Sequence, residues 1–139
     1  MIKRYANIAF FYAILAMIFG VFYREYTRFQ NFTGQTRLSV LHTHYFLLGM
    51  VFFLLLMVIE QGIAFSDSAT GKLIVLYQCG LNVTGLAFLL RGLMQISVEN
   101  PSRGMDASIS GIAGIGHILL GVSMILILLK IKKQAGNQR

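Results

Sequence analysis

All three histidines of this 139-residue chain lie in apolar runs that contain no Lys, Arg, Asp or Glu. His42 and His44 belong to one run and His117 to another. Neutral imidazole is a good ligand for iron, zinc and copper, and ionisable groups held within a membrane usually face a bundle interior or a cavity. A single such histidine can instead satisfy itself by bonding a neighbouring helix. Three of three inside spans, with none in a connection, shifts the balance toward ligands.

Spacing constrains how they act together. At 100° per residue His42 and His44 project about 200° apart, to opposite sides of one helix, so they cannot grip one ion from the same face. The face of His42 continues through Phe46, Gly49, Phe53 and Glu60, whose acid marks it as interior; that of His44 continues through Leu48, Val51, Leu55 and Val58. His117 shares a face with Ser110, Gly114, Gly121 and Met124. Glycines one turn either side of a histidine let a flat, bulky group lie near the backbone, or else serve close helix packing. Counting from the polar ends at 1.5 Å per residue, His42 stands roughly 27 Å up, His44 roughly 24 Å and His117 roughly 20 Å. Height pairs His117 with His44, whereas the face argument favours His42 as its partner. Arg37 and Arg91 fall at the same level, as do Arg24 and Glu25. Guanidinium groups clamp carboxylates well, so Arg and His together suit haem, with imidazole on iron and Arg37 and Arg91 on propionates. The attachment motif of c-type haem is absent, so the haem would be non-covalent haem b. Zinc or copper held by His42 or His44 with His117 and Glu25 is the alternative.

The elements that must carry these residues are four runs, Tyr5–Tyr23, Leu38–Ile59, Leu73–Leu90 and Ala107–Leu129. About 20 apolar residues cross a bilayer as a helix, because backbone groups in lipid must be bonded within the segment. Alternation suited to a membrane barrel is missing. The first run is too long for a signal peptide and no small-x-small cleavage site follows it. The expected fold is therefore one all-α domain, a four-helix transmembrane bundle. Its interior is expected to be lined by His42, Gly49, Glu60, Asn82 and His117. Gln78, Asn82 and Gly85 form a polar stripe for interhelical bonding, Cys79 is expected to be buried, and the Tyr and Phe residues supply any interfacial belt.

The charge of +7 is not gathered on one surface as nucleic acid would require. Its distribution follows topology instead. One side carries Lys3, Arg4, Lys72, Lys130, Lys132, Lys133 and Arg139, and the other Arg24, Arg28, Arg37, Arg91 and Arg103, which favours cytoplasmic N- and C-termini. The only proline, Pro101, is in a connection, unlike the broken spans of many transporters. Neither a nucleophile–base pair nor a glycine-rich phosphate loop is found, so any enzyme activity would be that of a haem-dependent oxidoreductase.

The runs FYREYTRF, TRLSVLHTHYFLLGM and GIAGIGHILLG resemble a bacterial family, mostly Gram-positive, of short four-helix membrane proteins with no assigned activity. The triplet His42–Thr43–His44 resembles the His-x-His of haem–copper oxidase relatives, whose two histidines serve different centres from opposite sides of a helix. That resemblance implies ligands of two sites, or one ligand with a supporting neighbour. The oxidases' other ligands have no counterparts here, so no oxygen-reducing centre is implied. Together these features point to a multi-pass protein of the bacterial plasma membrane, with lipid as its surroundings. It would bind haem b for electron transfer or for sensing of a redox species or gas, with a homodimer or a membrane redox partner as its associates. The other reading is a packing or regulatory subunit whose histidines are structural.

Overall fold

A computed structural model describes residues 1–97 and 102–137; residues 98–101, with Asn100 and Pro101, and residues 138–139, with Arg139, lie outside the described residues. The described residues form four long helices, each long and apolar enough to cross a membrane. They are α1 (Ile2–Phe29), α2 (Leu38–Ile63), α3 (Ser68–Ser97) and α4 (Arg103–Gly136). Each runs past the apolar stretch expected from the sequence. Charged residues such as Lys3, Lys72 and Lys132 continue the helical turns beyond the point where composition changes.

The helices do not close into a ring. α2 packs along α1 and against α3, and α4 packs along α3, while α2 meets α4 only lightly, through the Phe52–Ile63 half of α2. The other half of α2, which carries His42 and His44, makes no comparable packing with α4. A cleft between α2 and α4, floored by α3, results.

The α3–α4 seam is a backbone contact. A Cβ added to Gly80 would lie 2.5 Å from the Leu120 nitrogen, and one added to Gly116 would lie 2.7 Å from the Thr84 nitrogen. Gly114 and Gly121, expected from their spacing to lie near a bulky neighbour, have open space beside them. They point away from the seam that Gly116 makes.

Tyrosines, expected at the interface, build much of the core instead. Tyr5, Tyr12 and Tyr77 are fully buried, which is tolerable because each hydroxyl is bonded. Tyr5 meets the Ser66 hydroxyl at 2.7 Å, Tyr12 accepts from Asn82 Nδ2 at 2.9 Å, and Tyr77 donates to the Leu48 carbonyl at 2.8 Å. Asn82 thus ties α3 to α1, as the polar stripe predicts, although it is itself exposed. Gln78 turns back onto the Ile74 carbonyl. Cys79 is exposed rather than buried, because the glycine beside it, Gly80, takes the packed side of α3.

Both termini and the α2–α3 turn share one end. Ala64 closes α2 in the left-handed region, at φ 43°, and Ser66 N donates to Glu60 Oε2. Asp67 accepts from Thr70 N at 2.7 Å and from Lys130 at 2.6 Å, which caps α3 and moors α4 to it. Lys130, followed by Thr70, holds the Asp67 carboxyl well below the usual carboxylate range. A depressed folded-state value means that this contact stabilises the fold at neutral pH, and that the contribution fades as pH falls through the ordinary carboxylate range toward the folded value. Asp67→Asn is therefore expected to flatten the acid limb of a thermal-stability profile between about pH 5 and pH 2, which a melting series in detergent reads directly.

Candidate functional site

The opposite end of the cleft gathers the residues singled out from the sequence. His44 and His117 face each other with ring centroids 6.1 Å apart. Phe88 of α3 presents an edge to both, at 5.1 and 5.9 Å. Beside them is a groove of about 360 Å³ lined by Arg37, Ala87, Phe88, Arg91, Ile109, Ser110, Ala113 and His117. Its volume is near the lower bound of ordinary ligand sites, about 300–1,000 Å³.

Each wall is anchored by polar contacts from α3. Thr36 donates its hydroxyl to the Gly92 carbonyl at 2.9 Å, and Arg37 N donates to Gln95 Oε1 at 2.8 Å. A Cβ on Gly92 would come within 2.6 Å of Leu38 N, so the start of α2 rests directly on α3. The first turns of α4 are held by Arg91. Its Nη2 donates to the Asp106 carbonyl at 2.9 Å and to the Ser110 hydroxyl at 2.8 Å, and pairs with the Asp106 carboxylate at 3.0 Å. Arg91 is thereby partly engaged, whereas the Arg37 guanidinium has no partner among the described residues.

The nitrogens of the facing imidazoles are available. His117 Nδ1 lies 2.8 Å from the Ala113 carbonyl. A carbonyl can only accept, so Nδ1 carries the proton and Nε2 presents a lone pair, the arrangement that orients metal-binding histidines. His44 Nε2 is buried with no hydrogen-bond partner. With bonds of about 2.0 Å from imidazole nitrogen to metal, two rings this close could serve one metal ion. The open space beside Gly114 and Gly121 flanks this pair on α4.

His42 lies elsewhere. It stacks on Tyr23 of α1 with centroids 6.4 Å apart and lies against Gly20, and its Nδ1 is also buried and unpartnered. The two histidines of the triplet thus point to opposite sides of α2, as their spacing predicts. The partner of His117 by position is His44, the choice that height favoured and that the face argument did not. Of the five residues expected to line the interior, Gly49 is buried, His42 and Glu60 are half-buried, and Asn82 and His117 are exposed. Glu25 lies at the end of α1 paired with Arg24. No group of three His, Cys, Asp or Glu side chains suited to a metal ion occurs among the described residues. The signal missed in the sequence was Phe88, which gives the histidine pair its floor.

Fold and cleft define an all-helical protein of four potential membrane spans, with a groove at one end lined by His117, Arg37 and Arg91 and with His44 facing His117. Residues 2–134 match the model of a family described as a protein of unknown function (DUF2871), and the chain belongs to that family. No curated protein and no solved structure matches it.

Proposed function

We propose that this is a b-type haem protein of the bacterial plasma membrane, serving electron transfer or the sensing of a redox species or gas. The observation that carries the proposal is the convergence of His44 and His117. Two imidazoles from different helices, each with an unpartnered nitrogen, stand 6.1 Å apart beside a groove bearing two arginines. Haem bound there would supply one-electron chemistry. The chain's own residues would hold it: His44 and His117 on the metal, Phe88 against its edge, Arg37 and Arg91 toward its carboxylates. Gly114 and Gly121 leave open space on the same side of α4 as His117. Arg37 is the stronger anchor of the two, because Arg91 also fixes Asp106 and Ser110. Iron analysis with an extracted-haem assay on protein from haem-replete cells tests the reading. Stoichiometric haem b is expected, whereas zinc or copper without haem would replace it with a histidine-lined metal site.

The orientation proposed has both termini and the Ala64–Asp67 turn in the cytoplasm, from the excess of positive residues at that end. Reporter fusions at Gln134 should read cytoplasmic and those at Asn31 external. A cytoplasmic reading at Asn31 would reverse the orientation and place the histidine groove near the inner surface.

A further inference from the structure

The segment of α2 that follows His44 is not α-helical. Tyr45–Val51 forms a π-helical stretch between α-helical Leu38–His44 and Phe52–Ile63. The buried residues of this region are Leu41, Tyr45, Gly49 and Phe53, each four after the last. In an uninterrupted α-helix three steps of four carry the last residue about 120° away from the first. The wider turn keeps all of them on the packed side. Short π segments inside α-helices commonly accompany functional sites.

We propose that this π turn is the device that aims His44 at His117, and that Tyr77 is the positioning residue that holds it. Tyr77 reaches from α3 with its ring fully buried, stacks on Phe52 with centroids 4.4 Å apart, and donates its hydroxyl to the Leu48 carbonyl at 2.8 Å. From the other side Tyr12 of α1 covers Gly49 so closely that a Cβ there would lie 2.5 Å from the ring. The segment is clamped between two tyrosines, one of which bonds its backbone. The same residues wound as plain α-helix would turn His44 by about 100° relative to Phe53 and Leu56, away from Phe88 and His117, whereas removing one residue together with the π turn would cancel that rotation. Leu47 is 62% exposed, so its deletion takes nothing from the core.

The functional consequence rests on the haem reading, but the geometry can be tested apart from it. In the full chain carrying Cys79→Ser, His44→Cys and His117→Cys, a short bifunctional thiol reagent should link the two positions efficiently. Adding Tyr77→Phe should lower that yield several-fold while the melting temperature changes little, since the ring remains. Deleting Leu47, which removes the extra residue and the π turn together, should keep the link and free it from dependence on Tyr77. In the haem-loaded protein with its native histidines, Tyr77→Phe should convert part of the six-coordinate spectrum to a five-coordinate one. The Leu47 deletion should keep the six-coordinate spectrum. Cross-linking and spectra unchanged by Tyr77→Phe would overturn the positioning role, even if the deletion fails to fold. Wild-type protein without haem, beside a cysteine variant whose cross-linking still depends on Tyr77, would overturn the haem reading alone.

Discussion

Replacing His117 by alanine should remove most of the haem or leave a weakened, five-coordinate Soret band, and His44→Ala should do the same. His117 lines the groove and His44 faces His117 at 6.1 Å, and no group of three His, Cys, Asp or Glu among the described residues offers a replacement. Loss of an outer-sphere partner alone costs a metal site about 10–100-fold in affinity, so loss of a direct ligand should exceed that. His42→Ala should leave the spectrum nearly intact, because His42 packs on Tyr23 across the helix. The contrast between His44 and His42, two residues apart, is the informative part of the experiment. A spectrum that follows His42 and ignores His44 would mean that the cleft is not the haem site.

A second large effect is expected at the α3–α4 seam. Gly80→Val or Gly116→Val should destabilise the protein by at least the roughly 1–3 kcal/mol typical of overpacking. The atoms that a new side chain would meet are backbone: Leu120 N and Cα at one position, Thr84 N at the other. Backbone cannot rotate aside, so the helices must separate, and with them Phe88, Arg91 and His117. Gly114→Ala is the counterpart. With nothing within 4 Å, it replaces a helical glycine at no steric cost and should raise stability by up to about 1 kcal/mol. Gly114→Leu should leave the seam intact yet weaken haem binding, since its side chain enters the space beside His117. Thermal denaturation in detergent, followed with haem content, separates these outcomes. A Gly116→Val protein as stable as the wild type would refute the packing account.

How much of this was legible in the sequence depends on the physical signal available. Four helices follow directly from four uncharged apolar runs, because lipid leaves the backbone few alternatives. Their ends were placed short, since the first charged residue ends an apolar run but not a helix, as Lys72 in α3 shows. Periodicity correctly sent His42 and His44 to opposite sides. It favoured His42 beside His117 because it took the packed face of α2 for the side of α4, whereas the face that His42 shares with Gly49 and Phe53 packs on Tyr23 and Tyr12 of α1. Height along the bundle, being insensitive to rotation, selected His44. Gly114 drew notice by its place beside His117, while Gly116, one step from the same histidine, faces the neighbouring backbone. Nothing in a glycine's own residue type tells which helix face will be packed. The buried tyrosines were likewise hidden, because their partners, Ser66, Asn82 and the Leu48 carbonyl, are remote in sequence.

The central claim, that His44 and His117 would hold one haem iron, is tested most directly by low-temperature electron paramagnetic resonance of the oxidised wild-type protein. The account predicts a low-spin ferric signal of the type given by two imidazole ligands, lost in His44→Ala and in His117→Ala and kept in His42→Ala. A high-spin signal in the wild type, a low-spin signal that survives both substitutions, or no haem iron at all would contradict it.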